Sequence, residues 1–310
     1  MRILLTGSTG QVGRAILADL AADAEHQVFA PRRDRLDLRD LDALRRIVYE
    51  LRPDLIVNPA AYTAVDRAES DAEAAFRLNA EAPAVLARAA ADCGVGFVHF
   101  STDYVFDGRK AGPYSETDAP NPINVYGRSK LAGDEAVLAS GARAVILRTS
   151  WVYDEVGRNF LTTMLRLGQE RPALRVVADQ HGAPTSTAVI ARTVRAVIAR
   201  FASAGRSGEA LPRGLVNCAC AGETNWHGFA TAIFAGLRRR GTALSVRSVE
   251  PVASAEYLTA ANRPANSRLC LHRLRDVLGI TPPDWAAELE AVLDRAVAIG
   301  SAPGSPPGCP

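Results

Sequence analysis

The chain has 310 residues, of which 48% are hydrophobic and 23% carry charge, and its formal net charge is +2. This composition is typical of a globular protein, and the nearly balanced charge excludes general attraction to nucleic acid or to membrane surfaces. No run approaches the roughly 18 apolar residues of a membrane helix, and the five cysteines lack Cys-x-x-Cys spacing. The N-terminus also has no apolar signal region, so we expect a cytoplasmic protein that binds neither nucleic acid nor membrane.

The first half of the chain alternates short apolar runs with longer helical stretches. Strands are predicted at residues 2–5, 27–30, 55–58, 96–100 and 144–148. Helices are predicted to begin near Gln11, Leu41, Asp71, Ala82 and Val125. Strands that alternate with helices favour a parallel sheet, and continuously apolar strands indicate that helices cover both faces. The sequence therefore predicts an α/β fold with a Rossmann-type, doubly wound parallel sheet.

This alternation changes after residue 150. Helices are predicted over 159–170, 187–201 and 225–240, strands over 175–178 and 215–219, and two further helices towards the end. We assign residues 1–150 to a dinucleotide-binding domain, to which 186–220 return. Residues 151–185 and 221–300 are expected to form a smaller, partly α-helical substrate lobe. The last segment, 301–310, is rich in Gly, Pro and Ser and is predicted to be disordered.

A glycine-rich turn follows the first predicted strand and opens the first helix. Gly7, Gly10 and Gly13 would let the backbone approach a pyrophosphate at the helix N-terminus; a simple tight turn is the alternative. Arg32, after the second strand, occupies the place where arginine accommodates the 2′-phosphate of NADP, although a solvated basic turn would look the same. NADPH is therefore the expected cofactor, with NADH as a second donor. Asp37 and Leu38 are candidates for the adenine edge, and a surface position is the alternative for Asp37.

A tyrosine and a lysine lie four residues apart on a predicted helix. This spacing places Tyr126 and Lys130 on one helical face, where an ammonium lowers the pKa of a phenol and prepares it for acid–base catalysis. Ser101 and Thr102 end the preceding strand, where a hydroxyl is well placed to bind a carbonyl oxygen. The alternatives are a solvated helix face for the pair and a turn cap for the hydroxyl.

Together these motifs resemble the extended short-chain dehydrogenase/reductase superfamily. More narrowly, the chain is similar to the dTDP-4-dehydrorhamnose reductase family in seven segments that span about residues 1–270: 4–13, 52–69, 101–107, 124–133, 148–153, 179–185 and 263–269. The resemblance implies NAD(P)H-dependent reduction of the C4 keto group of dTDP-4-dehydro-L-rhamnose to dTDP-L-rhamnose. The open alternatives are reduction or epimerisation of another nucleotide sugar and a non-catalytic dinucleotide-binding subunit.

The resemblance also implies roles for individual residues. Tyr126 would donate the proton, Lys130 would tune it and bind the nicotinamide ribose, and Thr102 would replace the serine of most superfamily members. Asp103 would face the sugar beside Thr102, and Trp151 would pack against it; a position in the core is the alternative for Trp151. The remaining implied cofactor contacts are Gly10, Gln11 and Val12 on the pyrophosphate, and Ala61, Tyr62 and Thr63 near the nicotinamide.

Two positions concern the substrate diphosphate and a metal. Arg263 is a candidate for the diphosphate, and a role between the two lobes is its alternative. Some family members dimerise through a magnesium site, but Ala15 and Ala188 stand in place of its acidic residues here. We therefore predict no metal site, and both a monomer and a homodimer remain open.

Overall fold

A computed structural model describes residues 1–22, 25–207 and 213–300, so the tail predicted to be disordered lies outside the described residues. Its strands, numbered in chain order, are β1 (Arg2–Leu5), β2 (Gln27–Phe29), β3 (Leu55–Asn58), β4 (Gly96–Thr102), β5 (Arg143–Thr149), β6 (Val152–Tyr153), β7 (Ala173–Val177), β8 (His181–Gly182), β9 (Thr185–Ser186), β10 (Gly214–Cys218), β11 (Thr224–Asn225) and β12 (Ser248–Val252). The long strands agree with the predicted ones to within two residues. The two-residue strands were not predicted, because two residues carry no periodicity. The five residues of β12 were not predicted either, because they contain Pro251, which is unfavourable in a strand.

Most helices begin close to their predicted positions. The helices are α1 (Gln11–Ala21), α2 (Leu41–Leu51), α3 (Val65–Ala68), α4 (Ala72–Phe76), α5 (Ala82–Cys93), α6 (Val125–Ala139), α7 (Phe160–Glu170), α8 (Thr187–Ser207), α9 (Trp226–Arg239), α10 (His272–Leu278) and α11 (Trp285–Gly300). Helix α3 was not predicted, and α8 ends six residues later than expected. A π-helical turn, Arg77–Glu81, joins α4 to α5. The two helices predicted to begin near Asp71 and Ala82 therefore run on from one another.

Six strands form one parallel sheet in the order β10-β5-β4-β3-β1-β2. Successive residues of β1 point to opposite faces, so Ile3 and Leu5 pack against α1, α8 and α10, whereas Leu4 packs against α2 and α5. This is the doubly wound α/β sheet that the sequence predicts. The chain moves to opposite sides of β1 when it forms β2 and then β3, and ligands of such sheets bind outside the carboxyl ends of the strands at this reversal.

A separate core lies in what we call the helical region, which comprises α7, α9, α11, β7 and β12. Its largest buried side chains include Phe229 and Phe234 on α9, which pack with Leu289 on α11. The parallel pair of β7 and β12 closes one side of this core. The helical region lies beyond the carboxyl end of β5, so it faces the reversal point of the sheet.

Two further features concern membrane helices and thiols. No helix in the described part of the chain is long and apolar enough to span a bilayer. Cys93, Cys218, Cys220 and Cys270, the cysteines within that part, are all free thiols.

Candidate active site

A cleft of about 620 Å³ opens at the carboxyl ends of the sheet strands, between the sheet and the helical region. Its walls include all but two of the site residues predicted from the sequence. The predicted residues on the walls are Gly7, Gly10, Gln11, Val12, Gly13, Arg32, Asp37, Leu38, Ala61, Thr63, Thr102, Asp103, Tyr126, Lys130 and Trp151. The exceptions are Tyr62 and Arg263.

The glycine turn between β1 and α1 is built for close backbone approach. Gly7 has a positive φ of 59°, and a Cβ on Gly13 would lie 2.1 Å from the Gly7 carbonyl oxygen. Gly10 caps α1 without a side-chain hydrogen bond, and the first turn of α1 contains no acidic residue. The N–H groups of this helix end are therefore open to an anion, which suits a cofactor pyrophosphate.

The far end of the cleft carries two adjacent arginines. Arg33 lies 3.6 Å from Asp37, whereas the Arg32 side chain forms no ion pair with any residue that the structure describes. Asp37 accepts hydrogen bonds from Arg39, which lower the pKa of this carboxyl to about 2. Asp37 therefore stays ionised while Arg32 remains available to a phosphate.

Tyr62 lies beside the cleft but points away from it. Its hydroxyl donates to Asp71 at 3.0 Å, and its backbone N–H donates to the Asn79 side chain at 2.8 Å. Asn79 also donates to the Tyr62 carbonyl and to Ser129 on α6, so a buried amide from the π-helical turn fixes the segment containing Ala61 and Thr63. The polar groups of Tyr62 are thus bonded within the protein, and its neighbours Ala61 and Thr63 line the cleft instead.

Thr102 and Tyr126 meet where β4 ends and α6 begins. The Thr102 hydroxyl lies close enough to the Tyr126 phenol to lower its pKa, and it accepts a hydrogen bond from the Tyr104 N–H at 3.1 Å. Asn124 caps α6 through the Gly127 N–H, and a Cβ on Gly127 would lie 2.2 Å from the Tyr104 carbonyl oxygen. The lack of a side chain at Gly127 therefore lets the first turn of α6 bring its phenol to the end of the strand.

Burial dominates the protonation of this pair. Burial raises the pKa of Tyr126, the Thr102 hydroxyl lowers it, and the carboxyl of Asp103 raises it. Lys130 is itself buried, which lowers its pKa to about 8, and its Nζ donates to the Phe100 carbonyl at 2.6 Å. The sequence predicted a lowered pKa for the phenol, but the net direction in the folded chain is upward because burial outweighs the other influences.

Asp103 is a second unusual acid at this end of the cleft. Its carboxyl is buried, and burial raises its pKa to about 7. One oxygen accepts from Thr102 at 3.1 Å, whereas the other has no hydrogen-bond partner. Buried polar atoms are normally satisfied, so the free oxygen is placed to bind a polar group of a substrate.

Trp151 is held between another tryptophan and a glycine. Its ring stacks on Trp226 with centroids 3.6 Å apart and planes 11° apart, and Gly182 leaves the space that a side chain would occupy against it. Trp151 also has a positive φ of 47°, which is rare for a bulky residue. The Trp151 ring is packed, as expected of a core residue, and it also lines the cleft, as expected of a residue that contacts a sugar.

Arg263 supports the site from outside. It forms an ion pair with Asp66 on α3 at 2.7 Å and lies near Tyr104, whose ring packs edge-on against Tyr126 at 5.7 Å. In this structure Arg263 thus lies between α3 and the segment after β4. Its second terminal nitrogen, Nη1, is buried and has no hydrogen-bond partner.

Reasoning from the sequence missed the wall residues Arg158, Asn159 and Trp226 and the contacts that join α1 to the segment 154–159. Gln11 on α1 donates to the Arg158 carbonyl at 3.1 Å and accepts from Asn159 at 3.0 Å, and Arg14 pairs with Asp154. These contacts join positions almost 150 residues apart, so no local pattern could reveal them. Trp226 was missed for the same reason, although an aromatic residue directly after a capping asparagine was visible in the sequence.

Comparison with known proteins agrees with this geometry. A sequence model of the family described as RmlD substrate binding domain matches residues 1–298. The dTDP-4-dehydrorhamnose reductase of Burkholderia thailandensis is 47% identical over 287 residues, which cover 92% of this chain and 95% of that protein. A crystal structure of the reductase orthologue from Clostridium acetobutylicum superposes with a TM-score of 0.86 at 36% identity, covering 95% of this chain and 99% of the other. The Bacillus anthracis reductase, solved in complex with NADP, gives the same TM-score at 34% identity and the same coverage.

Proposed function

The chain belongs to the RmlD substrate binding domain family, and we propose that it is an oxidoreductase that converts dTDP-4-dehydro-L-rhamnose into dTDP-L-rhamnose with NADPH. The observation that carries this proposal is the joint placement of three groups in one cleft. Thr102, Tyr126 and Lys130 line the same space as the glycine turn between β1 and α1. A carbonyl group can therefore meet a hydroxyl, a phenol and a reduced dinucleotide together.

The proton chemistry falls to Tyr126. When bound, NADPH supplies the hydride that adds to C4 of the sugar. The Tyr126 phenol gives its proton to the oxygen of the former carbonyl, and the Thr102 hydroxyl stabilises the charge that develops there. The raised pKa keeps Tyr126 protonated, and Lys130, one turn along the same helix, stabilises the phenolate that remains.

The cofactor fits the residues that line the other half of the cleft. Gly7, Gly10 and Gly13 leave room for a pyrophosphate at the N-terminus of α1, where the helix dipole favours negative charge. Arg32 and Arg33 would hold the 2′-phosphate that distinguishes NADPH from NADH. The further cofactor contacts that we propose are Gln11, Val12, Asp37, Leu38, Ala61 and Thr63, with Tyr62 between the last two holding their segment through Asn79.

The sugar would lie between the pair of Thr102 and Tyr126 on one side and the tryptophans on the other. A hexose presents apolar C–H faces, which suit the stacked rings of Trp151 and Trp226. The free oxygen of Asp103 would accept from a sugar hydroxyl, and Arg263 is proposed to reach the diphosphate after exchange of its partner Asp66.

We extend the proposal to domain organisation and location. Residues 1–150 and 186–220 would form the cofactor domain, because β10 pairs with β5 in the main sheet. Residues 151–185 and 221–300 would form the substrate lobe around the separate helical core. The free thiols in the described part of the chain fit the reducing cytoplasm, where we place the reaction.

The direct test is oxidation of NADPH in the presence of freshly generated dTDP-4-dehydro-L-rhamnose, followed at 340 nm. We expect one NADPH consumed per dTDP-L-rhamnose formed, with slower turnover when NADH replaces NADPH. The product should have the L-rhamno configuration by NMR. Absence of turnover, with NADPH binding demonstrated by fluorescence, would contradict the proposed substrate and direct the search to other nucleotide sugars.

A further inference from the structure

A chain of buried polar side chains runs beneath the reaction end of the cleft. Thr6, which follows β1, donates to the Asn58 side chain at 2.5 Å, and Asn58 lies 3.2 Å from Nδ1 of His99. The other ring nitrogen of His99, Nε2, lies 3.5 Å from Nζ of Lys130. None of the four residues is more than 2% exposed. The chain of contacts therefore crosses three neighbouring strands and ends at the lysine of the site, away from solvent.

His99 is a neutral imidazole in this setting. Burial holds the pKa of His99 well below its ordinary value, and the charge of Lys130 lowers it further. A neutral imidazole has one donor and one acceptor nitrogen, so its partner at Nδ1 decides what Nε2 offers. The Asn58 side chain faces Nδ1 with its amide nitrogen at 3.2 Å, and its oxygen accepts from Thr6. A half turn of the amide presents the oxygen to Nδ1 instead; His99 then carries its hydrogen on Nδ1, and Nε2 accepts from a charged Lys130. This half turn is allowed because the Thr6 hydroxyl, which donates to the Asn58 oxygen in one orientation, can accept from the Asn58 nitrogen in the other.

The known partners of the Lys130 ammonium leave a further hydrogen for an acceptor such as Nε2 of His99. Burial lowers the pKa of Lys130, and the carboxyl of Asp134, which Arg148 pairs at 3.3 Å, raises it. The Phe100 carbonyl takes one hydrogen of the ammonium. The titratable groups whose charges interact with Lys130 are His99 on β4 and Asp134 on α6, and Tyr126 lies one turn before it on the same helix.

We infer that His99 is a positioning residue for the reaction: held by Asn58, its neutral imidazole accepts from the Lys130 ammonium and directs that charge towards the cleft. The inference rests on the proposed role of Lys130 as the partner of Tyr126. A carboxylate at this place would neutralise the ammonium, whereas an imidazole orients it and leaves its positive charge intact. That full charge is what stabilises a phenolate in a buried site.

The pKa of Lys130 can be measured directly, since the protein contains only two lysines, Lys110 and Lys130. Lysine labelled with ¹³C at Cε gives one NMR signal from each, and Lys110→Arg assigns them. Loss of the acceptor in His99→Phe, which retains the ring that stacks on Phe97, should lower the pKa of Lys130 by about one unit, a tenfold change in its proton dissociation constant. His99→Gln offers an amide oxygen to Lys130 and should restore most of the shift.

Two controls separate positioning from general damage. Asn217→Leu removes a buried polar side chain from β10, and it should lower stability without moving the Lys130 titration. His99→Leu is the second apolar variant, for the case that the phenyl ring of His99→Phe prevents folding. An unchanged Lys130 titration in a folded apolar variant would overturn the inference, as would an equal fall in His99→Gln.

Kinetics give an independent readout. The charge of Lys130 is lost as pH rises through its pKa, so His99→Phe should move the basic limb of kcat to lower pH by the same amount. KM for NADPH should change much less than kcat. The NMR titration needs no substrate, so a wrong substrate assignment would abolish turnover while leaving the predicted Lys130 shift to be measured.

Discussion

The cofactor end of the cleft is lined largely by backbone, whereas the reaction end is lined by buried side chains. At the cofactor end, the wall near β1 is largely backbone from the glycine turn, and its charges lie on the exposed Arg32 and Arg33. At the reaction end, the wall is made of side chains, and burial displaces the pKa values of Asp103, Tyr126 and Lys130. Charges in water are screened, whereas buried groups interact strongly. Changes at the reaction end should therefore have larger effects on chemistry than changes at the cofactor end.

The largest expected effect is the loss of the proton donor. Tyr126→Phe should lower kcat by about 10²- to 10⁴-fold, the usual contribution of general acid catalysis, and leave the Kd of NADPH nearly unchanged. Tyr62→Phe is the matched control, because its hydroxyl bonds Asp71 away from the cleft. Stopped-flow oxidation of NADPH and fluorescence titration measure the two quantities. Near-normal turnover of Tyr126→Phe would remove this residue from the mechanism.

A backbone change should produce the largest effect at the cofactor end. In Gly13→Ala the new Cβ would lie 2.1 Å from the Gly7 carbonyl oxygen, so the turn must shift. Overpacking of this kind costs about 1–3 kcal/mol, which predicts a Kd for NADPH that is roughly 10- to 100-fold higher. Gly112→Ala is the control, because its Cβ would meet nothing within 4 Å. Equal cofactor affinity in both variants would contradict the proposed role of the turn.

A smaller effect is expected from the exposed arginine at the 2′-phosphate position. Arg32→Gln should raise the Kd of NADPH by about tenfold, the lower end for a hydrogen bond to a charged group, and leave that of NADH unchanged. Arg33→Gln should act more weakly, because Arg33 already faces Asp37. Titration of each variant with both cofactors measures the difference. Parallel losses for NADPH and NADH would show that Arg32 does not recognise the phosphate.

The smallest effect concerns the pH dependence of the reaction end. The pKa of Asp103 is raised to about 7, so the carboxyl gains its charge as pH rises through neutrality. That negative charge raises the pKa of Tyr126 and opposes the alkoxide, so kcat/KM should fall a few-fold above about pH 7. Asp103→Asn should lack this step while keeping the later loss attributed to Lys130. A profile from pH 6 to 9 that is identical in both proteins would contradict the assignment.

Local patterns in the sequence were enough to predict the sheet and much of the site. The glycines of the turn, the four-residue spacing of Tyr126 and Lys130, and the hydroxyl at the end of β4 each lie within one element. Their geometry follows from helix and strand periods, which tertiary packing leaves unchanged. These residues reach the same cleft because parallel strands bring their carboxyl ends to one edge of the sheet.

Tertiary structure alone decided the partners and the protonation of those residues. Trp226 on Trp151, Asn159 on Gln11 and His99 on Lys130 are contacts between distant parts of the chain, and their sequence separations carry no periodic signal. The sequence also predicted a lowered pKa for the phenol, but burial of Tyr126 raises that pKa in the folded chain. Helical spacing determines which side chains share a face, whereas burial and competing acceptors determine which charge acts on which proton.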